Sequence, residues 1–536
     1  MHDKSSNLPE SRTVPPPYRV IFNWDGTSHG YLEVPYTSEQ LLDSIYAPIE
    51  GTQVGALFWC LGTHEASWPS ENLSKAGDSE ERYYGSVTGM RRSEGIRFLW
   101  EEETDFYDRL VARGHELGIH VYASIRMNDN HIWFDELKPE EMADTTRASL
   151  TQTRKDHPEW TLGIGNGPKW AATSWNIAIP EVRAHLLGLI SEACGLTNWD
   201  GLELDWQRHA FHLPEQDAYR LRYTLTDLQR AVRGVTDGIA RERGLPFHLA
   251  IRVGASMETC RRIGYDVQTW IQEGLCDIIA TNANSGTDPG VEIERYSDFA
   301  RDSEIKIYPG FDSHWEMGHG RLLSPKNWLE AWYRGLAQGF LRRNAAGVHI
   351  FNWHSTADSH RPLLTTIGDL GTLKRTDKVY TALKRHIRDQ IEGYYGAERD
   401  DRLLGEVPVS LYQTGSDGGP LFHVSVHDDV AEARKAGWLA SVALQIEISH
   451  LSPADVFDVW LDGSRLGTPE ITNSALIDHQ NPANVAESSW LVWDLAQEPL
   501  GIGLHQVRID LTKRDSRMRV PPIVENVEIH VTYLRK

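Results

Sequence analysis

Short apolar runs alternate with amphipathic stretches between residues 18 and 395. Eight such runs end in polar or aromatic residues, and they occupy 18–24, 54–62, 119–129, 199–206, 247–254, 276–284, 305–312 and 347–354. The stretches between them have helical spacing, and those at 180–195 and 226–244 end in the glycine that is common at helix C-termini. Repeated strand–helix alternation predicts a parallel sheet, and eight units predict a (β/α)₈ barrel of the TIM type. A doubly wound open sheet is the alternative, although no GxGxxG motif follows the first run.

Beyond residue 395 the pattern changes to a strict alternation of apolar and polar residues. Six segments separated by turn residues show it, namely 421–428, 443–450, 455–466, 488–495, 504–511 and 526–534. Alternation with period two is typical of strands with one buried face, and the series predicts an antiparallel β-sandwich. We therefore predict a barrel domain at 18–395 and a β-sandwich domain at 396–536.

Charge and hydropathy argue against several classes of partner. The 536 residues carry a formal net charge of −22, which disfavours nucleic acid and anionic membranes, because both attract Lys and Arg. No apolar run approaches the length of about 18 residues that a transmembrane helix needs. The polar, proline-rich segment 1–17 lacks the apolar centre of a signal peptide, so we expect a cytoplasmic protein. The sequence is compatible with a homo-oligomer as well as with a monomer.

The four cysteines do not suggest a metal site or a disulfide framework. No pair has CxxC spacing, and we expect four buried free thiols, at Cys60, Cys194, Cys260 and Cys276. No HxH or HExxH spacing occurs either. We therefore predict neither a metal nor another cofactor.

Functional side chains of such barrels lie at the C-terminal ends of the strands. All eight runs end in polar residues, which predicts a solvated, functional mouth. From first run to last these residues are Asp25; His64 and Glu65; Arg126, Asn128, Asp129 and His131; Glu203, Asp205, Arg208 and His209; Arg252; Asn282 and Asn284; Asp312 and His314; Asn352 and His354.

The fourth run, WDGLELDW, is the most informative. Its leucines share one face of the strand and its carboxylates, Glu203 and Asp205, share the other, so the carboxylates are expected to point into the barrel. Arg126 and Arg252 are the only charges in the central parts of the neighbouring runs. We predict an Arg126–Glu203–Arg252 cluster in which Glu203 is chiefly a buried ion-paired strut. Asp205, nearer the mouth, is predicted to be catalytic or to bind substrate.

A glycosidase needs two carboxyl groups on either side of the scissile bond. Asp205 is the first candidate, with Glu203 as a further one. Asp129, Asp25, Asp312 and Glu65 are candidates for the second group, and Asp129 is the one that we include in the catalytic set. A sugar's CH face stacks on aromatic rings, so we also predict that Trp206, Trp315 or Trp353 lines the mouth.

The segments NWDG, GTQVGALFW, IRMNDNH and WDGLELDWQRH, together with GYDVQTWIQEGLCDIIA and GVHIFNW, resemble the bacterial family 10-like glycosyl hydrolases over about residues 18–360. That resemblance implies a (β/α)₈ fold and a carbohydrate substrate. It also gives weight to Arg126, Asn128, Asp129, Glu203, Asp205 and Arg208.

A second resemblance concerns the fourth run alone. Asp200, Glu203, Asp205 and Gln207 overlay the DxxDxDxE motif of the chitinase-like family. Gln207 replaces the glutamate that is the proton donor of that family, and Glu203 replaces its second aspartate. Membership would imply a poor hydrolase or a lectin.

The leading hypothesis is a glycoside hydrolase. A non-catalytic carbohydrate-binding barrel is the first alternative. A polysaccharide lyase or a metal-dependent enzyme is another, and it is motivated by five histidines near the strand ends, His64, His131, His209, His314 and His354.

Overall fold

A computed structural model describes residues 13–24, 37–62, 66–78, 81–128, 151–167, 171–282, 287, 289–312, 326–351, 353, 357–383, 406–415, 418–477 and 485–534. Eight parallel strands form a closed barrel in chain order, because β1 pairs with both β2 and β8. They are β1 (Val20–Trp24), β2 (Val54–Cys60), β3 (His120–Arg126), β4 (Gly201–Asp205), β5 (His248–Val253), β6 (Ile278–Thr281), β7 (Lys306–Asp312) and β8 (Val348–Phe351). All eight coincide with predicted runs, and the (β/α)₈ prediction is confirmed.

Helices follow the strands as the alternation predicts. In chain order the helices of the described residues are α1 (Ser38–Tyr46), α2 (Val87–Glu101), α3 (Phe106–Glu116), α4 (Gln152–Asp156), α5 (Pro180–Cys194), α6 (Ala218–Leu221), α7 (Tyr223–Arg243), α8 (Met257–Arg262), α9 (Val267–Gln272), α10 (Ile293–Ala300), α11 (Lys326–Arg342), α12 (Ala357–Leu364), α13 (Leu370–Leu373) and α14 (Val430–Lys435). None of these helices is long and apolar enough to cross a membrane.

The C-terminal strands form two antiparallel sheets. One has the order β10-β18-β12-β16-β15 with β9 beside β18, and the other has the order β11-β17-β13-β14. Their bounds are β9 (Lys378–Thr381), β10 (Val409–Ser410), β11 (Leu421–Val426), β12 (Leu439–Ser449), β13 (Val456–Leu461), β14 (Ser464–Arg465), β15 (Glu470–Ile477), β16 (Val485–Asp494), β17 (Gly503–Lys513) and β18 (Ile523–Tyr533). Apolar residues of both sheets share one core, so the predicted β-sandwich is confirmed.

The chain divides into two compact units. The first contains 1–315, 344–365 and 388–400, and the second contains 316–343, 366–387 and 401–536. The predicted cut at residue 395 lies outside the described residues, but the range 18–395 assigns α11 and β9 to the barrel domain, whereas both cluster with the C-terminal residues. The reason is visible in β9, a four-residue strand that pairs with β18 of the sandwich and is too short for its periodicity to be recognised.

The barrel interior is apolar towards the N-terminal ends of the strands and polar towards their C-terminal ends. Its lower part is a cluster of eight buried residues, Tyr18, Ile21, Ala56, Phe58, Tyr122, Ala250, Ile278 and Tyr308. Alternate strands of such barrels contribute the four side chains of a layer. The register gives Phe58, Glu203, Ala280 and His349 to the layer of β2, β4, β6 and β8, at the level where the interior becomes polar. Polar side chains therefore occupy positions where branched aliphatic residues are usual.

Candidate active site in the upper half of the barrel

Glu203 points into the barrel interior and is fully buried. Its Oε2 accepts hydrogen bonds from Asn23 Nδ2 at 2.7 Å and from Ser124 Oγ at 2.5 Å. Among the described residues its Oε1 has no hydrogen-bond partner, and His349 Nε2 is 3.6 Å away from it across the barrel. One carboxyl oxygen is thus fixed by two donors while the other faces an imidazole.

His349 is itself fully buried. Within the part of the chain that the structure describes, both of its ring nitrogens lack a hydrogen-bond partner, and so does the nearby Asn23 Oδ1. Buried polar groups are normally paired with protein or with ordered water. Four polar atoms around Glu203 and His349 can therefore receive a water molecule or a polar group of a substrate.

Asp205 has a different environment, although it lies only two residues further along β4. Both of its oxygens are 2.9 Å from Arg252 Nη1. Its Oδ1 also accepts the backbone N–H groups of Gln207 and Arg208, at 3.0 and 2.9 Å. Asp205 therefore holds the start of the loop after β4 and neutralises a buried arginine.

The predicted Arg126–Glu203–Arg252 cluster is wrong. Parallel pairing places Arg126 and Arg252 in register with Asp205, whereas Glu203 is in register with Ser124 and Ala250. The ion pair of Arg252 is with Asp205, and its Nε donates to Asn282 Oδ1 at 2.8 Å. The sequence shows which residues face inward, but the stagger between neighbouring strands decides which of them meet.

Three predicted binding arginines do come together at the top of the barrel, around one aromatic ring. The guanidinium carbons of Arg252, Arg126 and Arg208 lie 3.9, 5.6 and 5.9 Å from the centroid of Phe351. At such distances the face of an aromatic ring attracts a cation. The cationic side chains of β3, of β5 and of the loop after β4 therefore lie close together around the ring of Phe351.

Asn128 proves to be a structural residue among the predicted binding residues. Its Oδ1 accepts from Trp175 N at 2.9 Å and from Arg154 Nη2 at 3.3 Å. Its Nδ2 donates to Phe211 O at 3.1 Å and to His212 Nδ1 at 2.9 Å. Its four interactions are thus all within the protein, and they join the end of β3 to the loop after β4.

That loop has an unusual backbone. His209 and Phe211 have positive φ angles of 50° and 81°, which cost energy for residues other than glycine. His212 holds the loop, because its Nε2 donates to Trp206 O at 3.0 Å while its Nδ1 accepts from Asn128. Burial lowers the pKa of His212 to about 4, despite the opposing influence of the Trp206 carbonyl and of Asp205. His212 is consequently neutral at physiological pH.

Two of the tryptophans predicted to line the mouth lie in the core. Trp206 is fully buried, donates to Gln229 Oε1 at 3.2 Å and packs against Tyr265 and Trp270. Trp353 is also fully buried, beside His360. Trp206 follows the inward-facing Asp205, so strand alternation turns its ring outward to the helices. The substrate-platform prediction is therefore wrong for both rings.

Several predicted residues cannot be placed. Asp25, His64, Glu65, Asp129, His131, Asn284, His314, Trp315, Asn352 and His354 lie outside the described residues. Asp312 ends β7, but its side chain also lies outside the part of the chain that the structure describes. His209 is buried, and Asn282 is fully buried beside Arg252. Among the side chains that are described, no three of His, Cys, Asp and Glu form a metal-binding group, and all four cysteines are buried free thiols as predicted.

His349 is a site residue that the sequence pattern does not predict, because it stands in the middle of the run GVHIFNWH and not at its polar end. The spacing along the strand could have identified His349: it lies two residues before Phe351, and alternation puts both side chains on the inward face of β8.

No protein-family model and no curated protein matches the chain. Similar solved structures include chitinase ChiW of Paenibacillus sp. str. FPU-7, with 11% identity over 94% of this chain and 56% of that one, at a TM-score of 0.36. A family 18 N-acetylglucosaminidase of Paenibacillus barengoltzii has 13% identity over 65% and 98% of the two chains, at 0.32. The family 36 α-galactosidase AgaA of Geobacillus stearothermophilus has 12% identity over 96% and 55%, at 0.35.

The chain thus spans about half the length of two of these three proteins. All three of these proteins are glycoside hydrolases. Similarity at this level transfers neither a substrate nor a residue role to this chain. The resemblance to family 10-like glycosyl hydrolases stays a prediction.

Proposed function

We propose that the barrel is a glycoside hydrolase in which Glu203 is the proton donor. One observation carries the proposal: Glu203 Oε2 accepts two hydrogen bonds, while Oε1 accepts none from the residues that the structure describes and faces His349. A protonated carboxyl group has one accepting oxygen and one oxygen that bears the proton. The surroundings of Glu203 match that form, with Oε1 as the oxygen that delivers the proton to a leaving group.

The residues around Glu203 have separate tasks in this proposal. Asn23 and Ser124 hold the carboxyl group in one orientation through Oε2. His349, on the opposite side of the barrel, is a positioning residue that can accept or return a proton at Oε1. General acid catalysis by a positioned side chain typically contributes about 10²–10⁴-fold to the rate.

A second carboxylate is needed to attack the anomeric carbon or to activate water. Asp129 is our candidate, followed by Asp25, Asp312 and Glu65. Asp205 is a poorer candidate than the sequence suggests, because Arg252 and two backbone amides already bind its oxygens. We assign Asp205 the role of holding Arg252 and the loop after β4.

The test is a screen of the purified full chain against chitohexaose, cellohexaose, maltohexaose, xylohexaose and mannohexaose, followed by chromatography of the products. We expect one hexaose to be shortened, and Glu203→Gln to reduce its turnover by about 10²-fold or more.

The matched control is Glu447→Gln. Glu447 is a buried glutamate of the sandwich that is hydrogen-bonded by Ser488 and Asn526, so the same chemical change is made away from the barrel. Turnover should be unchanged in this variant. Equal loss in both variants, or full activity of Glu203→Gln, would contradict the assignment. An unsaturated, ultraviolet-absorbing product would instead indicate a lyase.

A further inference from the structure

The proposed proton donor lies inside the barrel and not at its rim. Glu203 stands in the middle of β4, whereas Asp205 ends the strand. Two residues along a strand span about 6–7 Å, so the wall of the barrel continues beyond Glu203 towards the mouth. Asn23 of β1 and Ser124 of β3 bind its carboxyl group, and His349 of β8 faces it across the barrel. Side chains of adjacent and opposite strands thus surround Glu203 within the closed sheet.

Aromatic rings occupy the interior on the N-terminal side of Glu203. Gly201 is the inward-facing residue two positions before Glu203, and it is in register with Tyr122 of β3. A Cβ at Gly201 would collide with the ring of Tyr122. The glycine therefore leaves room for this ring, which lies against β4 immediately before Glu203.

The same arrangement occurs on the opposite side of the barrel, below His349. Gly347 precedes His349 by two positions, and a Cβ there would collide with the ring of Tyr308. Phe58 of β2 lies between the two sides. Its ring centroid is 4.7 Å from that of Tyr122 and 6.1 Å from that of His349. We call the rings of Phe58, Tyr122 and Tyr308 the aromatic floor.

Hydrogen bonds to the N-terminal segment hold the aromatic floor in place. The hydroxyl groups of Tyr18 and Tyr122 are 3.0 Å apart, and Tyr18 N donates to Tyr308 OH at 3.1 Å. The Tyr18 hydroxyl group also lies 2.7 Å from His120 Nδ1. All three rings of the floor are fully buried, and close-packed interiors have few voids larger than a water molecule. The barrel is therefore closed on the N-terminal side of Glu203.

A sugar chain can consequently reach Glu203 from the mouth only. An enzyme that cleaves in the middle of a chain needs a groove that is open at both ends, because the chain continues on both sides of the scissile bond. In a barrel that is closed by its strands at the sides and by the aromatic floor below, the part of the chain next to Glu203 has to be an end. The rest of the chain leaves through the opening by which it entered.

We propose that the barrel acts on chain ends and releases a mono- or disaccharide from one end of a glycan. The inference rests on the proposed function, because it takes Glu203 as the proton donor, and it adds the class of substrate. The bond between an anomeric carbon and the glycosidic oxygen breaks, and Glu203 protonates that oxygen. Water supplies the hydroxyl group of the new reducing end and the proton that returns to the enzyme.

The experiment uses the native full chain and the hexaose that it shortens. The hexaose is supplied unmodified, reduced to the alditol at its reducing end, or with a benzyl ether on its non-reducing terminal unit. One of the two modifications should abolish cleavage, because the altered end no longer fits the closed barrel, and the other should leave the rate unchanged. With a soluble polysaccharide of the same sugar, reducing ends should accumulate while the viscosity stays nearly constant. Glu203→Gln is the control that assigns the products to the barrel.

The two proposals fail in different ways. Early cleavage in the middle of the hexaose, equal rates on all its forms, or a rapid fall in viscosity would overturn the chain-end proposal while the barrel remains a hydrolase. If no hexaose is shortened, or if Glu203→Gln shortens it at the full rate, the proposed function is overturned, and the chain-end proposal falls with it.

Discussion

At the scale of single residues, the two carboxylates of β4 show how position decides role. Glu203 and Asp205 are both fully buried. In the described part of the chain, Glu203 has hydrogen bonds on one oxygen only, whereas Asp205 has them on both and pairs with a buried arginine. Chemically similar groups two residues apart therefore have different hydrogen-bonding surroundings.

Asp205→Asn is expected to destabilise the barrel. It leaves the fully buried Arg252 without its counter-charge, and breaking a buried ion pair typically costs about 3–5 kcal/mol. Urea unfolding of the two proteins measures the difference in free energy. The double variant Asp205→Asn, Arg252→Gln should lose less than the sum of the single losses. A stable Asp205→Asn protein that has lost its turnover would return the catalytic role to Asp205.

His212 predicts a dependence of stability on pH. Its pKa is about 4 in the folded chain, compared with an ordinary value of 6.5, so the unfolded chain takes up a proton first as the pH falls. The stabilisation by neutral His212 is thus complete above pH 6.5, and about 3 kcal/mol of it is lost as the pH drops towards 4.

The measurement is the free energy of unfolding at intervals from pH 7 to pH 4, for the native chain and for His212→Gln. The variant should show a flatter profile in this interval, because glutamine does not titrate. Parallel profiles would mean that His212 is not kept neutral by its burial.

The sequence predicts which side chains of β4 face the barrel interior, but it does not predict which residues those side chains pair with. Alternation in WDGLELDW correctly predicts that Glu203 and Asp205 point inward. It does not predict that Asp205 binds Arg252, since that depends on the stagger of three strands. The sequence predicts Asn128 and Trp206 to bind substrate, whereas both contact other residues of the chain. A polar or aromatic residue at a strand end has the same sequence pattern in either case.

At the scale of elements, long periodic segments were predictable and short ones were not. The eight barrel strands and six sandwich strands follow from periodicity alone. β9 and β10 have four and two residues, too few to show a period. β15 is not predicted by the pattern, because its sequence EITNSALI interrupts the alternation with Asn473 and Ser474.

One short element contains a buried ion pair on which the second unit should depend. Lys378 of β9 lies 3.2 Å from Asp428, and both side chains are almost fully buried. Lys378 Nζ also donates to Leu373 O and Thr376 O, at 2.7 and 2.9 Å. Burial lowers the pKa of Lys378 and raises that of Asp428, so each charge depends on its partner.

We expect Asp428→Asn to cost about 3–5 kcal/mol of stability, and a double change to Lys378→Met, Asp428→Leu to recover part of it. Chemical denaturation of the full chain provides the values. A loss within the range of about 0.5 kcal/mol that is usual for surface substitutions would show that the pair does not stabilise the unit.

At the scale of the whole molecule, the chain combines a (β/α)₈ barrel with a polar upper interior and a C-terminal β-sandwich. Its formal net charge of −22 disfavours polyanionic ligands, because like charges repel. The division into units could be predicted only in part, because α11 and β9 precede residue 395 in the chain and yet cluster with the sandwich.

The central claim is that Glu203 gives a proton to a leaving group, and leaving-group dependence tests it most directly. The measurement compares the natural oligosaccharide with the 2,4-dinitrophenyl glycoside of the same sugar, whose leaving group needs no proton. Glu203→Gln should slow hydrolysis of the oligosaccharide by about 10²-fold or more while changing that of the dinitrophenyl glycoside by less than about tenfold. Equal losses on both substrates, or no loss on either, would contradict the account.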